Sequence, residues 1–199
     1  MEQIGQHRCC DSLDGDPVSV FICRRRASAA SKGAGSQMTR TKSTDPLDRL
    51  GVYKHFEEVP QHHRLCRNTA DYAGRDVWDE FCTEHEYQQG SSDHFQRDVD
   101  RVGDHWCRHM DARGRHHALA QPEDVETWCD RLITNKTLST SYNYWVRIKR
   151  FYDWLVWHTD HPHRYDPVLM AVAEGGAAGE IWEQKLQKWS KVRGRATNE

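Results

Sequence analysis

Apolar side chains recur every three or four positions along most of the chain beyond residue 45, and almost nowhere at every second position. That period belongs to helices with one buried face, and it predicts an all-α protein without a sheet. The clearest stripe is Phe95, Val99, Val102, Trp106 and Met110, opened by the chain break Gly90-Ser91-Ser92 and closed by Gly114. Pro122-Glu123-Asp124 reads as the first turn of a second helix, because proline loses nothing there and the acids suit the dipole. Its buried face is Val125, Trp128, Cys129 and Leu132. After the loop NKTL a third helix is expected from Ser139-Thr140 to about Thr159, with Tyr144, Ile148, Phe151, Tyr152 and Leu155 inside and Pro162 beyond its end. Asp166-Pro167 starts a short helix through Val172, closed by Gly175-Gly176. A last helix from about Glu180 to Val192 sets Ile181, Trp182, Leu186 and Trp189 against Lys185, Lys188 and Lys191.

Upstream, Leu50, Tyr53, Phe56 and Val59 predict one short helix before Pro60. Leu65, Tyr72, Val77, Trp78 and Phe81 predict a longer one from about Thr69 to Tyr87, with Gly74 as its weak point. Residues 1–37 combine Cys9-Cys10, the triplet Arg24-Arg25-Arg26 and the run ASAASKGAGSQ without any period that could bury a face. Disorder is expected there, and the change of composition makes Met38 a candidate native start. The expected organisation is an N-terminal extension over 1–37, a helical segment over 38–90, a helical bundle over 91–176, and a C-terminal amphipathic helix and tail over 177–199.

Composition narrows the function classes. A net charge of -2 over 199 residues excludes a protein that is basic throughout, so any nucleic-acid surface must be local. The seven cysteines include no C-x-x-C pair, which fits free thiols in a reducing cytoplasm. No apolar run reaches the roughly 18 residues of a membrane span, and the arginines after PVSVFIC reverse the order of a signal peptide.

The succession of an amphipathic helix, a P-E-D-V start, an S-T start, a helix ending Phe151-Tyr152-x-Trp154-Leu155, and Asp166-Pro167 resembles the core-binding, or SAM-like, N-terminal domain of tyrosine recombinases and phage integrases. The resemblance covers about residues 92–175. From Met38 onward the chain is also similar to short integrase-related proteins of salt-loving archaea. It implies a small helical bundle that clamps one side of a recombination site. In that family a separate catalytic domain follows, with an Arg, a Lys, an H-x-x-R pair and a nucleophilic Tyr for phosphoryl transfer. The residues after Pro167 contain no His and no Tyr, so no enzyme activity is expected of this sequence. His105-Trp106-Cys107-Arg108 has the H-x-x-R spacing, but Trp106 belongs to the apolar stripe, and the match reads as chance.

On the helix after Ser139, the side opposite Ile148 carries Ser139, Asn143, Val146, Arg150, Asp153 and Trp157, flanked by Arg147 and Lys149. Hydroxyls at a helix start beside fixed positive charge suit a phosphate. The expected DNA-binding residues are therefore Ser139, Thr140, Asn143, Arg147, Lys149 and Arg150, joined by Arg113 and Arg115 from the turn HMDARGRHH. An ordinary solvated face is the alternative, and Asn143 and Tyr144 stand where the family often has further basic residues. Trp154 and Trp157 do not fit a helix with one buried side, so cover is expected from Trp182 and Trp189, or from self-association or a full-length recombinase. His105, Cys107, His109, His158, His161 and His163 match no zinc spacing, and no metal or cofactor is expected. The sequence reads as a non-catalytic, integrase-like protein that binds double-stranded DNA, the alternative being a helical protein-interaction module without DNA affinity.

Overall fold

The computed structural model describes residues 43–89 and 92–196, which belong to one compact unit, Thr41–Glu199. The expected disorder of residues 1–37 and the candidate start at Met38 lie outside the described residues. Those described form seven α-helices joined by turns and contain no strand. The helices are α1 (Thr69–Tyr72), α2 (Val77–Phe81), α3 (Asp93–Ala112), α4 (Pro122–Asn135), α5 (Leu138–Trp157), α6 (Pro167–Glu174) and α7 (Gly176–Ala196).

Helix α3 starts where Ser92 Oγ accepts the backbone N–H of Phe95 at 3.2 Å, and it buries Val99, Val102, Trp106 and Met110 as their spacing predicts. Helix α4 begins at Pro122, and its Asp124 carboxylate reaches back to the Gln121 N–H at 2.9 Å. The start of α5 lies before the expected Ser139-Thr140. Thr137 is the cap, accepting from the Thr140 N–H at 3.3 Å, and Leu138 is already helical. Asp166 caps α6 through the N–H groups of Val168 and Leu169, at 2.9 and 3.1 Å. Helix α7 begins earlier than expected because a distant side chain serves its open amides. Glu126 of α4 accepts from Ala177 N–H at 2.6 Å and Ala178 N–H at 3.0 Å.

The single helix expected from Thr69 to Tyr87 is broken. Gly74, at φ +77°, turns the chain after α1, and Asp76 then caps a new start through the Asp79 N–H at 3.1 Å. Helix α2 runs into a π turn, Cys82–Glu86, that carries the fully buried Glu86. The segment before α1 holds only short single turns, yet it delivers Leu50, Val59 and Leu65 to the core. It is tied down by the Leu65 N–H, which donates to Tyr165 Oη at 3.4 Å, and by Trp182 Nε1 donating to the Thr44 carbonyl at 3.1 Å.

Three places locate the site. The loop after α3 is buried from His117 to Ala120. The His117 carbonyl accepts from Trp106 Nε1 at 2.8 Å and Tyr152 Oη at 2.9 Å, while His163 Nε2 donates to the Ala118 carbonyl at 2.7 Å. Helix α3 also meets the α2 region face on, since a Cβ on Gly103 would stand 2.1 to 2.6 Å from three atoms of the Trp78 ring. Gly103→Ala should therefore lower the unfolding free energy by about 1–3 kcal/mol, seen as a lower urea midpoint; an unchanged midpoint would mean that the ring can step aside. The third place is α5, central to the bundle, with Trp145, Ile148, Phe151, Tyr152 and Leu155 all buried.

The aromatic surplus on α5 is covered differently from the expectation. Trp154 packs on Phe81, His158 and His161, with ring centroids 5.8, 4.8 and 4.9 Å away. Trp182 of α7 meets Trp145 instead, at 5.9 Å. Trp157 is covered by neither and is 84% exposed; the Trp189 side chain lies outside the described residues. No helix among the described residues is long and apolar enough to cross a membrane.

Candidate anion-binding surface

All five cations expected to face DNA have acidic partners within the bundle. Arg147 pairs with Glu86, and Arg150 reaches the same Glu86 oxygen at 3.1 Å. Glu86 is wholly buried while its two partners keep 19% and 40% exposure. Arg147 also lies over the Phe95 ring, 4.4 Å from its centroid. Lys149, expected on an exposed flank, is buried; it pairs with Asp153 and holds Asp166 Oδ2 at 2.9 Å. Burial would lower its pKa, but Asp166 and Asp153 overcome this and raise it. Since Asp166 is also the cap of α6, Lys149 serves the joint between α5 and α6.

Arg113 and Arg115 converge on buried Asp124, Arg115 at 2.6 Å and Arg113 closer still. Burial pushes the Asp124 carboxyl up, but the Gln121 N–H and the two guanidinium groups hold it below the ordinary carboxylate range. The pair thus steadies the capping box at the start of α4. Ser139 accepts from Lys188 Nζ at 3.3 Å, and Thr140 Oγ1 lies 2.9 Å from Thr137 Oγ1. Thr140, Asn143, Arg147 and Arg150 do share one cavity of about 410 Å³ between α3 and α5, together with Asp98 and Arg101. Asp98 pairs with Arg101 at 3.0 Å, and the one Glu86 carboxylate serves both Arg147 and Arg150, so this groove keeps a single unbalanced positive charge.

A different set of cations stands without acids. A recess of about 320 Å³ between α3 and the C-terminal end of α4 is lined by His105, Arg108, His109, Arg131, Asn135 and Lys136. None of Arg108, Arg131 and Lys136 forms an ion pair among the described residues. Arg108 Nε donates to the Asp104 carbonyl at 2.9 Å, and Lys136 Nζ sits 5.0 Å from the centroid of the Tyr144 ring. Tyr144 also meets His105 edge to face at 5.6 Å. Because Tyr144 lines the α3/α5 cavity as well, the recess and the groove adjoin.

Geometry settles the proton on both histidines. Trp128 Nε1 donates to His105 Nδ1 at 2.9 Å, which leaves the ring proton on His105 Nε2. His109 Nε2 donates to the Asp124 carbonyl at 2.9 Å, and its Nδ1 faces Arg131 at 3.4 Å. Burial first, and then the charges of Lys136, Arg108 and Arg131, hold the His105 pKa below its ordinary value. Burial also lowers His109, against the pull of the Asp124 carbonyl, with Arg131 and Arg113 adding to the effect. The recess therefore offers three fixed cations and a neutral N–H donor. Among the described residues no group of three or more His, Cys, Asp and Glu side chains is placed to hold a metal.

A helical wheel places the charge on α5 because it shows which residues share a face, not which acids lie across from it. Arg108, Arg131 and Lys136 are visible as polar positions of two helices, but their meeting depends on how α3 and α4 pack. No protein-family model, curated protein or solved structure matches this chain.

Proposed function

We propose that this chain is a non-catalytic, integrase-like DNA-binding protein of the kind linked to site-specific recombination or mobile elements. Its hold on the sugar-phosphate backbone centres on Arg108, Arg131 and Lys136. The observation that carries the reading is the recess itself: three cations with no carboxylate partner, next to a groove that presents Thr140 and Asn143. Two exposed guanidinium groups and a half-buried ammonium that share one recess without a counter-charge favour an external anion. Support for the recombination link comes from the order of elements and the caps at Pro122 and Asp166-Pro167, which fit what the family resemblance implies.

Duplex DNA should bind with a Kd on the order of micromolar and with a steep salt dependence. Replacing Arg108, Arg131 and Lys136 together by Gln should reduce the slope of log K against log salt by about 2.7, at roughly 0.9 for each phosphate that is no longer neutralised. Fluorescence anisotropy across a salt series reads both quantities. A slope unaltered by the triple variant would place the DNA contact elsewhere.

One observation favours a second reading as a protein-interaction module. Trp157 is exposed at the rim of a cavity of about 370 Å³ that Trp154, His85 and His158 also line. Large exposed aromatic surface is characteristic of interfaces. The same titration separates the two, since a module of that kind binds no duplex at any salt concentration.

A further inference from the structure

We infer that the recess between α3 and α4 receives a phosphate monoester, the dianion carried by a DNA 5′ end or a free nucleotide, in preference to an internal phosphodiester. The inference rests on the anion-binding reading above and specifies which anion fits. A diester carries one negative charge, and a protein that follows a DNA backbone spreads its cations along the path of the strand. Here Arg108, Arg131 and Lys136 line one recess, and all three charges bear on a single ring, His105. Three converging positive charges match a group with two negative charges better than a group with one.

The neutral donor points the same way. With Nδ1 occupied by Trp128, His105 offers its Nε2–H, which has no partner among the described residues. A terminal phosphate presents three free oxygens, so it can accept from the two guanidinium groups, the ammonium and this N–H at once. A diester has only two free oxygens. Asn135 closes one side of the recess, with its amide committed to the Arg131 carbonyl at 2.8 Å.

His105 is held neutral by the Trp128 N–H on its Nδ1, and burial with the nearby guanidinium groups disfavours a second proton on His109, so the charge of the recess stays constant near neutral pH while that of the ligand does not. The groups around it are Arg108, His109 and the Asp104 carbonyl on α3, Trp128, Arg131, Asn135 and Lys136 on α4 and at its end, and Tyr144 on α5. A phosphate monoester takes its second charge near pH 6. Preference for it should then grow as pH rises from 6 to 8, the reverse of a site driven by histidine protonation.

The test compares duplexes that differ only in a 5′-phosphate or 5′-hydroxyl terminus, with thymidine 5′-monophosphate and inorganic phosphate as small probes. The full chain should prefer the 5′-phosphorylated duplex by about tenfold, and Arg131→Gln or Lys136→Gln, with unchanged circular dichroism, should reduce that preference to below about threefold. Taking the ratio of the two duplexes at each pH cancels any loss of folded protein. Equal binding of the two duplexes overturns the inference and leaves the backbone reading standing. Binding of the mononucleotide alone, weakened by the same variants, supports the inference and overturns the DNA reading. No binding of any probe overturns both.

Discussion

Arg147→Ala should cost about 2–3 kcal/mol of stability, because it removes the more buried of the two guanidinium partners of Glu86 and leaves only the half-exposed Arg150. Glu86 has no exposure, and one of its oxygens has no hydrogen-bond partner among the described residues. It depends on Arg147, which is 19% exposed, and on Arg150, which is 40% exposed and more readily compensated by water. Arg150→Ala should therefore cost about 1 kcal/mol. Adding Glu86→Gln to the Arg147→Ala chain should recover part of the loss, because a neutral amide replaces the stranded carboxylate. Urea denaturation followed by circular dichroism measures all three, and an Arg147→Ala protein as stable as the parent would show that Arg150 and water suffice for Glu86. The result bears on function too. Replacing Arg147 and Arg150 would loosen the bundle, so substitutions in the α3/α4 recess are the cleaner test of the proposed DNA binding.

Acidification should unfold this bundle between pH 6.5 and 4, earlier than its carboxylates alone would dictate. Burial, with His116 nearby, pushes His117 down to about 4, and burial with His161 does the same for His163. Asp76 and Glu80 facing His117, and Asp166 and the Ala118 carbonyl facing His163, pull the other way without prevailing. Each ring also uses a lone pair or a buried position that a second proton would spoil: His117 Nε2 accepts the Trp78 N–H at 3.2 Å, and His163 Nδ1 is buried without a partner among the described residues.

In the unfolded chain these rings gain protons near pH 6.5; in the folded chain they resist until about 4. The unfolded state therefore binds more protons across that window, and stability falls with pH by up to about 1.4 kcal/mol per unit for each ring. Two rings together approach the whole stability of an ordinary domain. Asp124, held below the ordinary range, loses its contribution only at lower pH, while Asp153 and Glu174, raised by burial, act in the opposite sense. Thermal melts at pH 7.5 and 5 should differ strongly in the parent chain. In His117→Gln/His163→Gln the difference should shrink even if the protein is weaker at pH 7.5; an unchanged difference would assign acid sensitivity to other groups.

Much of the bundle was legible because its helices carry local signals. The stripe of α3, the proline starts of α4 and α6, and the cap at Asp166 each lie within a few residues of what they control. The misses share one physical cause, which is distance along the chain. Glu126 starts α7 from 51 residues away, and Glu86 takes Arg147 from a separation of 61. The expected long helix failed where Gly74 and Asp76 together favour a turn and a new start over continuation. The site suffered most, since a face that looks basic in one helix becomes neutral when another segment supplies the acid. Arg113 and Arg115 looked like solvent cations for the same reason, with Asp124 hidden in the next helix.

The hydrogen bond from Trp182 to the Thr44 carbonyl spans 138 residues, and it governs how the protein can be made. During synthesis the segment carrying Leu50, Val59 and Leu65 leaves the ribosome long before α6 and α7, and it has no helix of its own to shelter those side chains. Closing such a long loop is slow compared with forming any one helix. The nascent chain must therefore carry an apolar strap in the open until its C-terminal partners arrive. That interval is when a chaperone has reason to bind it.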